Sequence, residues 1–209
     1  MRLTLWLFAA ALAAGETAAP TTLDLPTPQK TGGMPVMEAL SKRATARAFD
    51  ARDLSPQQLS SVLWAAFGVN RADGKRTAPS AMDHQETDIY ALLKQGAYVY
   101  DAKANRLTQV LAEDIRALGG KQDFVKNAPL TLVFIADLAK MGNGNVAEKE
   151  STASLDVGFI SQNVYLYCAS EGLATGVRGW VDHDALGKRL GLRADQRIIA
   201  AQSVGYPKK

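Results

Sequence analysis

The sequence predicts an α+β fold on three observations. Apolar residues recur at helical spacing in segments that precede and interrupt the strand-like runs; the two kinds of segment do not alternate as repeated strand-helix-strand units would; and no internal repeat organises them. With 209 residues, 47% of them hydrophobic and 22% charged, the chain can bury one well-formed core and is too short for two large domains.

Each element follows from its local residues. Ser55-Pro56 opens a helix, with Ser55 as cap and Pro56 where a missing N–H costs little, and Leu59, Val62, Leu63 and Ala66 follow at i, i+3, i+4 and i+7 toward Gly68. The polar, glycine-containing stretch Asn70 to Lys75 then forms a loop. Ile89 to Leu93 and Ala97 to Tyr100 are short strand-like runs separated by Lys94-Gln95-Gly96, which predicts a hairpin or two adjacent strands. Leu107 to Leu118 has helical character, and Leu130 to Ala136 reads as a buried strand after Pro129. The longest helix is expected from about Glu148 to Ser170, where Leu155, Phe159, Gln162, Asn163, Leu166 and Ala169 share roughly one face. A shorter helix over Ala185 to Leu190 and a final strand over Arg197 to Val204 complete the domain.

At the N-terminus, Arg2 precedes an apolar stretch from Leu3 to Ala14, and Ala11-Leu12-Ala13 offers small residues at a cleavage position, so residues 1–14 read as a secretory signal peptide. The stretch is shorter than the ~20 residues of a membrane-spanning helix, which leaves an uncleaved anchor as the alternative. A periplasmic or secreted protein, free of the membrane after cleavage, is expected. Gly15 to Lys30 is rich in Thr, Pro and Ala without periodicity, predicting a flexible linker over residues 15–33 and a folded domain over 34–209. A formal charge of +3 and a pI near 9.0 are only mildly basic, and no Lys/Arg run is long enough for a nucleic-acid stripe. Cys168 is the single cysteine, so an internal disulfide is impossible, and its apolar helical setting places it in the core. His84 and His183 each have an aspartate neighbour but belong to no spaced ligand motif, so no metal is expected.

The chemistry begins at Arg43-Ala44-Thr45-Ala46-Arg47, two guanidinium groups one helical turn apart with the Thr45 hydroxyl between them. A guanidinium stays charged, offers five donors in a planar fork, and grips phosphate through charge-assisted hydrogen bonds. Two arginines at i, i+4 also suit a solvated helix face, so the pair alone leaves both readings open. Downstream come Arg76-Thr77-Ala78-Pro79-Ser80-Ala81, continued by Met82-Asp83-His84-Gln85, then Gln162-Asn163, then Gly172-Leu173-Ala174-Thr175-Gly176.

In this order and spacing, the segments from about Met37 to Tyr206 resemble the nitroreductase family of flavoproteins, and within it the short forms similar to SagB-type dehydrogenases. The resemblance implies a central mixed β-sheet flanked by helices, in a homodimer whose two FMN sites lie at the interface. It implies that Arg43, Ala44 (through its backbone), Thr45 and Arg47 clamp the phosphate and ribityl chain of FMN. Pro79, Ser80, Ala81 and Gln85 match the segment that reaches the flavin of the neighbouring subunit. Asp83 departs from the family, which usually has Asn there; an amide can donate, whereas an ionised carboxylate only accepts.

Gly172 to Trp180 reads as a glycine-rich loop, and from it a backbone N–H of Gly179 or Trp180 is implied to donate to flavin N5, the atom that accepts hydride, so no titrating side chain need be catalytic. Arg178 is implied to stabilise the reduced flavin's negative charge, or else to form a surface salt bridge; Lys208 adds charge at the phosphate or belongs to a solvated tail. Gln162 and Asn163 match a helix packed beneath the flavin, as cofactor contacts or as simple packing groups. The activity implied is transfer of hydride or electrons through bound flavin to or from a small organic substrate. NADH or NADPH is the common donor in the family, whereas an exported protein points to a redox-protein or reduced small-molecule donor. The alternative is a flavin-binding or degenerate scaffold without turnover, raised by Asp83 and by the lack of a recognisable substrate-side acid or base.

Overall fold

The computed structural model describes residues 21–208, so the segment read as a signal peptide lies outside the described residues. The elements run β1 (Thr22–Asp24), α1 (Val36–Lys42), β2 (Phe49–Asp50), α2 (Pro56–Phe67), β3 (Thr87–Leu93), β4 (Gly96–Asp101), β5 (Arg106–Leu111), β6 (Leu130–Asp137), α3 (Val146–Ser170), β7 (Ala174–Arg178), α4 (His183–Leu190) and β8 (Gln196–Pro207). The strands order as β1-β5-β4-β3-β6-β8-β2, with β7 also paired to β8. The α+β class holds, and every pairing among the described strands is antiparallel, where the family resemblance implied a mixed sheet.

Strand β6 shows why the sheet is central. All eight of its residues are buried. Alternate side chains of a strand point to opposite faces; Leu132 and Phe134 pack with Leu63, Ile160 and Val164 of α2 and α3, and Val133 and Ile135 pack with Leu186 and Leu190 of α4. A strand covered on both faces reads as a continuous apolar run, which is what made this one legible.

The two long helices start where capping chemistry tells them to. The Ser55 hydroxyl accepts from the Gln58 N–H while the Gln58 side chain accepts from the Ser55 N–H, and Asn145 and Glu148 make the same reciprocal pair at the head of α3. Helix α4 opens on the Asp182 carboxylate, which accepts from the Ala185 N–H.

Three expectations are corrected. Leu107 to Leu118 is not helical: β5 pairs with β4, and only Arg116–Gly119 forms a single 3-10 turn. The reason is turn chemistry, because the Asp101 carboxylate accepts from the Lys103 and Ala104 N–H groups and Asn105 takes a left-handed φ of 49°, closing a hairpin. Gly172 to Trp180 is not a loop throughout, since Ala174–Arg178 pairs with Ala201–Gly205 as β7.

The third correction concerns the linker. Folded structure begins before Met34, with β1 pairing to β5. Beyond β1, Asn105 Nδ2 donates to the Pro26 carbonyl, Gln57 Nε2 donates to the Thr27 carbonyl, and the Gln29 N–H donates to the Ser61 hydroxyl. These bonds use backbone groups and polar side chains of α2 and of the β4–β5 turn, so they leave no hydrophobic period in the sequence. Removing residues 21–33 is expected to destabilise the domain by about 2 kcal/mol or more, at ~1 kcal/mol per net hydrogen bond. Urea titration measures it, and an unchanged midpoint would restore the flexible-linker reading.

Candidate active site

Helix α1 ends at Arg43, whose backbone has φ −55° and ψ 122° while its N–H still donates to Ala39. The segment 43–48 is therefore neither helix nor strand, and the reading of Arg43 and Arg47 as neighbours on a helix face does not hold. It lies directly against β7: the Ala46 N–H donates to the Thr175 carbonyl at 2.8 Å. Gly176 makes that approach possible, because a Cβ there would stand 2.6 Å from the Ala46 carbonyl oxygen.

Tyr165 of α3 ties the two pieces together. Its hydroxyl lies 2.9 Å from Thr45 Oγ1 and accepts from the Val177 N–H at 3.1 Å, and the Arg43 guanidinium sits over its ring at 5.3 Å. Sequence reasoning missed this residue; a lone helical tyrosine carries no signal until the strand it meets is known. Arg43 is half-buried, Ala44, Thr45 and Arg47 are exposed, and among the described residues no carboxylate pairs with either arginine. Pairing of Phe49 with Pro207 brings the exposed Lys208 to the same end of the segment.

Gly179 and Trp180 follow β7 at the exposed surface. Their carbonyls accept from the Val181 and Lys121 N–H groups, while their own N–H groups bond to no described residue. A Cβ at Gly179 would meet nothing within 4 Å, so this backbone is open to a ring. Arg178 points the other way and is buried. Its Nε donates to the Gly119 carbonyl at 2.8 Å, Nη2 has no partner, and no described carboxylate pairs with it, which excludes the surface salt bridge. Burial pulls its guanidinium down to about 10, so it remains charged at neutral pH.

The Pro79–Gln85 segment is held by two buried carboxylates that sequence reasoning did not single out. The Ser80 hydroxyl donates to Glu86 Oε2 at 2.9 Å and accepts from the Gln85 N–H at 2.9 Å; the Ala81 N–H donates to Asp156 Oδ2 of α3 at 2.9 Å. Met82, Asp83 and Gln85 all take left-handed backbone, with φ of 52°, 57° and 47°. Non-glycine residues there cost about 1–2 kcal/mol each, so the loop stays strained only while those anchors hold it. The Gln85 amide is engaged within the loop region, accepting from Arg76 Nε at 2.7 Å and donating to Asp83 Oδ1 at 3.0 Å. Asn163 lines a surface groove with Trp64 and Thr77, away from the clamp. Cys168 is buried, and burial pushes its thiol up.

The structure thus brings Arg43, Ala44, Thr45, Arg47 and Lys208 to one edge of β7 and leaves Gly179 and Trp180 open at its end. Pro79 to Gln85 stands apart, on the Asp156 side of α3. Unpaired cations for a phosphate and unbonded N–H groups for a ring nitrogen are the donor set that FMN needs, so the residues present fit it. Among the described residues no three His, Cys, Asp or Glu side chains are grouped to hold a metal.

Burial, with the neighbouring Glu86 carboxylate adding to it, holds the Asp156 carboxyl above its ordinary range despite the Ala81 N–H. A raised folded value means that the folded state keeps the proton more tightly than the unfolded chain. That contribution is complete below about pH 4 and is lost as pH rises through the raised value. Asp156→Asn cannot ionise yet still offers an oxygen to Ala81, so its melting temperature is expected to vary less than wild type between about pH 4 and 7. Parallel thermal profiles would remove Asp156 as the titrating group.

Residues 40–206 match the nitroreductase family. The chain is 30% identical over 148 residues to a provisionally named nitroreductase of Methanocaldococcus jannaschii, covering 66% of this chain and 75% of that protein. A crystal structure of a provisionally named nitroreductase from Ralstonia eutropha JMP134 is 40% identical, covers 90% of both chains and superposes with a TM-score of 0.86. A Staphylococcus epidermidis protein provisionally named an NAD(P)H:FMN oxidoreductase shares the fold at 13% identity, with a TM-score of 0.65 over 87% of this chain and 92% of that one. The chain belongs to the nitroreductase family of oxidoreductases.

Proposed function

We propose that this chain is an exported, homodimeric, FMN-dependent oxidoreductase that passes hydride or electrons between a donor and a small organic substrate. One observation carries the reading. Unpaired Arg43, Arg47 and the Thr45 hydroxyl are locked, through Tyr165 and the Ala46–Thr175 bond, to a strand whose end presents two unbonded N–H groups. FMN, when bound, supplies a ring that accepts and returns hydride.

The chain's own residues do the rest. Arg43, Arg47 and Lys208 hold the phosphate, and Thr45 adds a hydroxyl donor. The Gly179 and Trp180 N–H groups orient the ring and stabilise charge that develops at N5 without moving a proton. Arg178, charged and buried one residue earlier, contributes positive potential at that end of β7 and favours the reduced, anionic form. Pro79 to Gln85 serves the partner's site. Met37 and Leu40 of α1 and Leu155 and Phe159 of α3 are exposed apolar side chains that a second copy would cover. Outside the cytoplasm a nicotinamide pool is not expected, which favours a redox-protein or reduced small-molecule donor over NADH or NADPH.

The purified mature protein is expected to be yellow and to release FMN on denaturation. Arg43→Ala is expected to weaken FMN binding by about 1.5–3 kcal/mol, tenfold or more in Kd by flavin fluorescence titration; unchanged affinity would remove the clamp. A carboxylate at Asp83 opposes formation of the anionic reduced ring. Asp83→Asn is therefore expected to raise the flavin midpoint potential, by about 30 mV if ~1.4 kcal/mol is at stake in the two-electron couple. Identical potentials would discard that role. Anaerobic photoreduction followed by mixing with quinones, nitroaromatics or oxygen separates turnover from a scaffold, which would bind flavin and never reoxidise it.

A further inference from the structure

We propose that the cavity between residues 70–76 and 79–85 binds the anionic head of the substrate, a carboxylate or phosphate on a small organic molecule. The proposal deepens the oxidoreductase reading and rests on it for its link to turnover.

The cavity has a volume of about 300 Å³, and its lining includes Arg71, Lys75, Arg76, Ser80, Asp83 and Gln85. Three of those six side chains are cationic and one is anionic. The anion is engaged, since Asp83 Oδ1 accepts from Gln85 Nε2 at 3.0 Å. Lys75 has Asp73 at 3.7 Å, whereas Arg71 and Arg76 have no carboxylate partner among the described residues. Arg76 is the most telling of them. It is half-buried, its Nε donates to Gln85, its Nη1 donates to the Phe67 carbonyl at 3.1 Å, and it lies over the Phe67 ring at 5.1 Å. Its Nη2 bonds to no described residue. Burial lowers its basicity, and Tyr100 with the Asp101, Asp88 and Asp83 carboxylates, none of them in an ion pair with it, only partly offsets that effect.

The walls are built rather than draped. Val69 and Arg76 form a β-bridge, the Asn70 N–H donates to the Lys75 carbonyl at 3.1 Å, and Gly74, at φ 83°, donates to the Arg71 carbonyl. Gln85 then joins this turn to the strained segment after Pro79 through Arg76 and through the Gly74 carbonyl. The cations therefore stand on a preformed turn bonded to the segment assigned to the partner's flavin. A cavity at the small end of ligand sites suits one planar acid group and the ring or chain carrying it. Guanidinium groups are the donors that such a group takes best.

The test compares 4-nitrobenzoate and 4-nitrophenyl phosphate with the neutral 4-nitrobenzamide as electron acceptors of the FMN-loaded protein. At least one anion is expected to show a KM tenfold or more below that of the amide, rising with added NaCl. Arg71→Ala/Lys75→Ala, both at exposed positions outside the flavin machinery, is expected to raise that KM at least tenfold while kcat and the amide's KM stay within twofold. Which anion responds identifies carboxylate or phosphate. Benzoate and phenyl phosphate, neither reducible, are titrated calorimetrically into wild type and variant, with and without FMN. Binding that the variant loses sustains the anion site even where no acceptor is turned over, so a failed redox reading is told apart from a failed site. No preference for either anion together with no calorimetric binding, or equal losses for anion and amide, would overturn the proposal.

Discussion

The arrangement depends on how closely the irregular segment 43–48 lies on β7. A Cβ at residue 176 would stand 2.6 Å from the Ala46 carbonyl oxygen, a distance that real Cβ contacts do not reach, so glycine is required at that point. The Ala46–Thr175 bond and the Tyr165 hydroxyl then fix the segment from two directions. Arg43 is positioned by its ring contact with Tyr165 and by the end of α1, not by an ion pair, which leaves its charge available. A cation compensated inside the protein would hold the same place and do less, because an incoming phosphate would have to displace its partner.

Helix α3 serves as the beam between two otherwise separate pieces. Tyr165 holds the clamp and Asp156 holds the Pro79–Gln85 segment, nine residues and so about 13 Å apart along the axis. Both side chains are buried and polar, as is Ser161 between them. Each interrupts the apolar stripe, which is why the helix shows so little amphipathic contrast for its length while its ends remain sharply capped. One helix thus anchors both the segment proposed to hold the phosphate and the strained loop proposed to serve a partner's site.

What the sequence disclosed and what it hid divide along physical lines. Helix α2, strand β6 and the β3–β4 hairpin were legible because capping boxes, two-sided burial and a short turn leave local patterns. The β5 hairpin was hidden because Leu107, Val110, Leu111 and Leu118 mimic helical spacing, while the deciding groups were the Asp101 carboxylate and a left-handed Asn105. Strand β1 was hidden because it is held by backbone bonds from a polar segment to an edge strand. At the site, the arginine pair and the glycine-rich segment were visible as residue types. Their meeting was not, since it runs through Tyr165 and through the absence of a side chain at Gly176. Glu86 and Asp156 were invisible for a related reason: a carboxylate announces burial only once its neighbours are known.

A mild formal charge of +3 does not disclose where the unpaired arginines lie. Outside the two candidate regions, Arg52 and the exposed Lys30, Lys94, Lys103, Lys121, Lys126 and Lys188 have no ion-pair partner among the described residues, whereas Arg106 is paired with Asp24, Arg116 with Asp114, Lys140 with Asp88 and Arg197 with Glu150. Around the two candidate binding regions Arg43, Arg47, Arg71, Arg76 and Arg178 have no such partner among the described residues. Leaving Arg178 charged and buried is costly, as its lowered basicity reflects, and partial burial imposes a smaller cost of the same kind at Arg76. Arg52 aside, the arginines without an ion-pair partner among the described residues lie in the 43–48 segment, at the end of β7 and on the turn beside the strained loop, so positive potential gathers at the surfaces to which the proposed anionic groups are assigned. The fold supports that potential with neutral scaffolding, Tyr165, Gln85 and backbone carbonyls, which positions the cations without cancelling them.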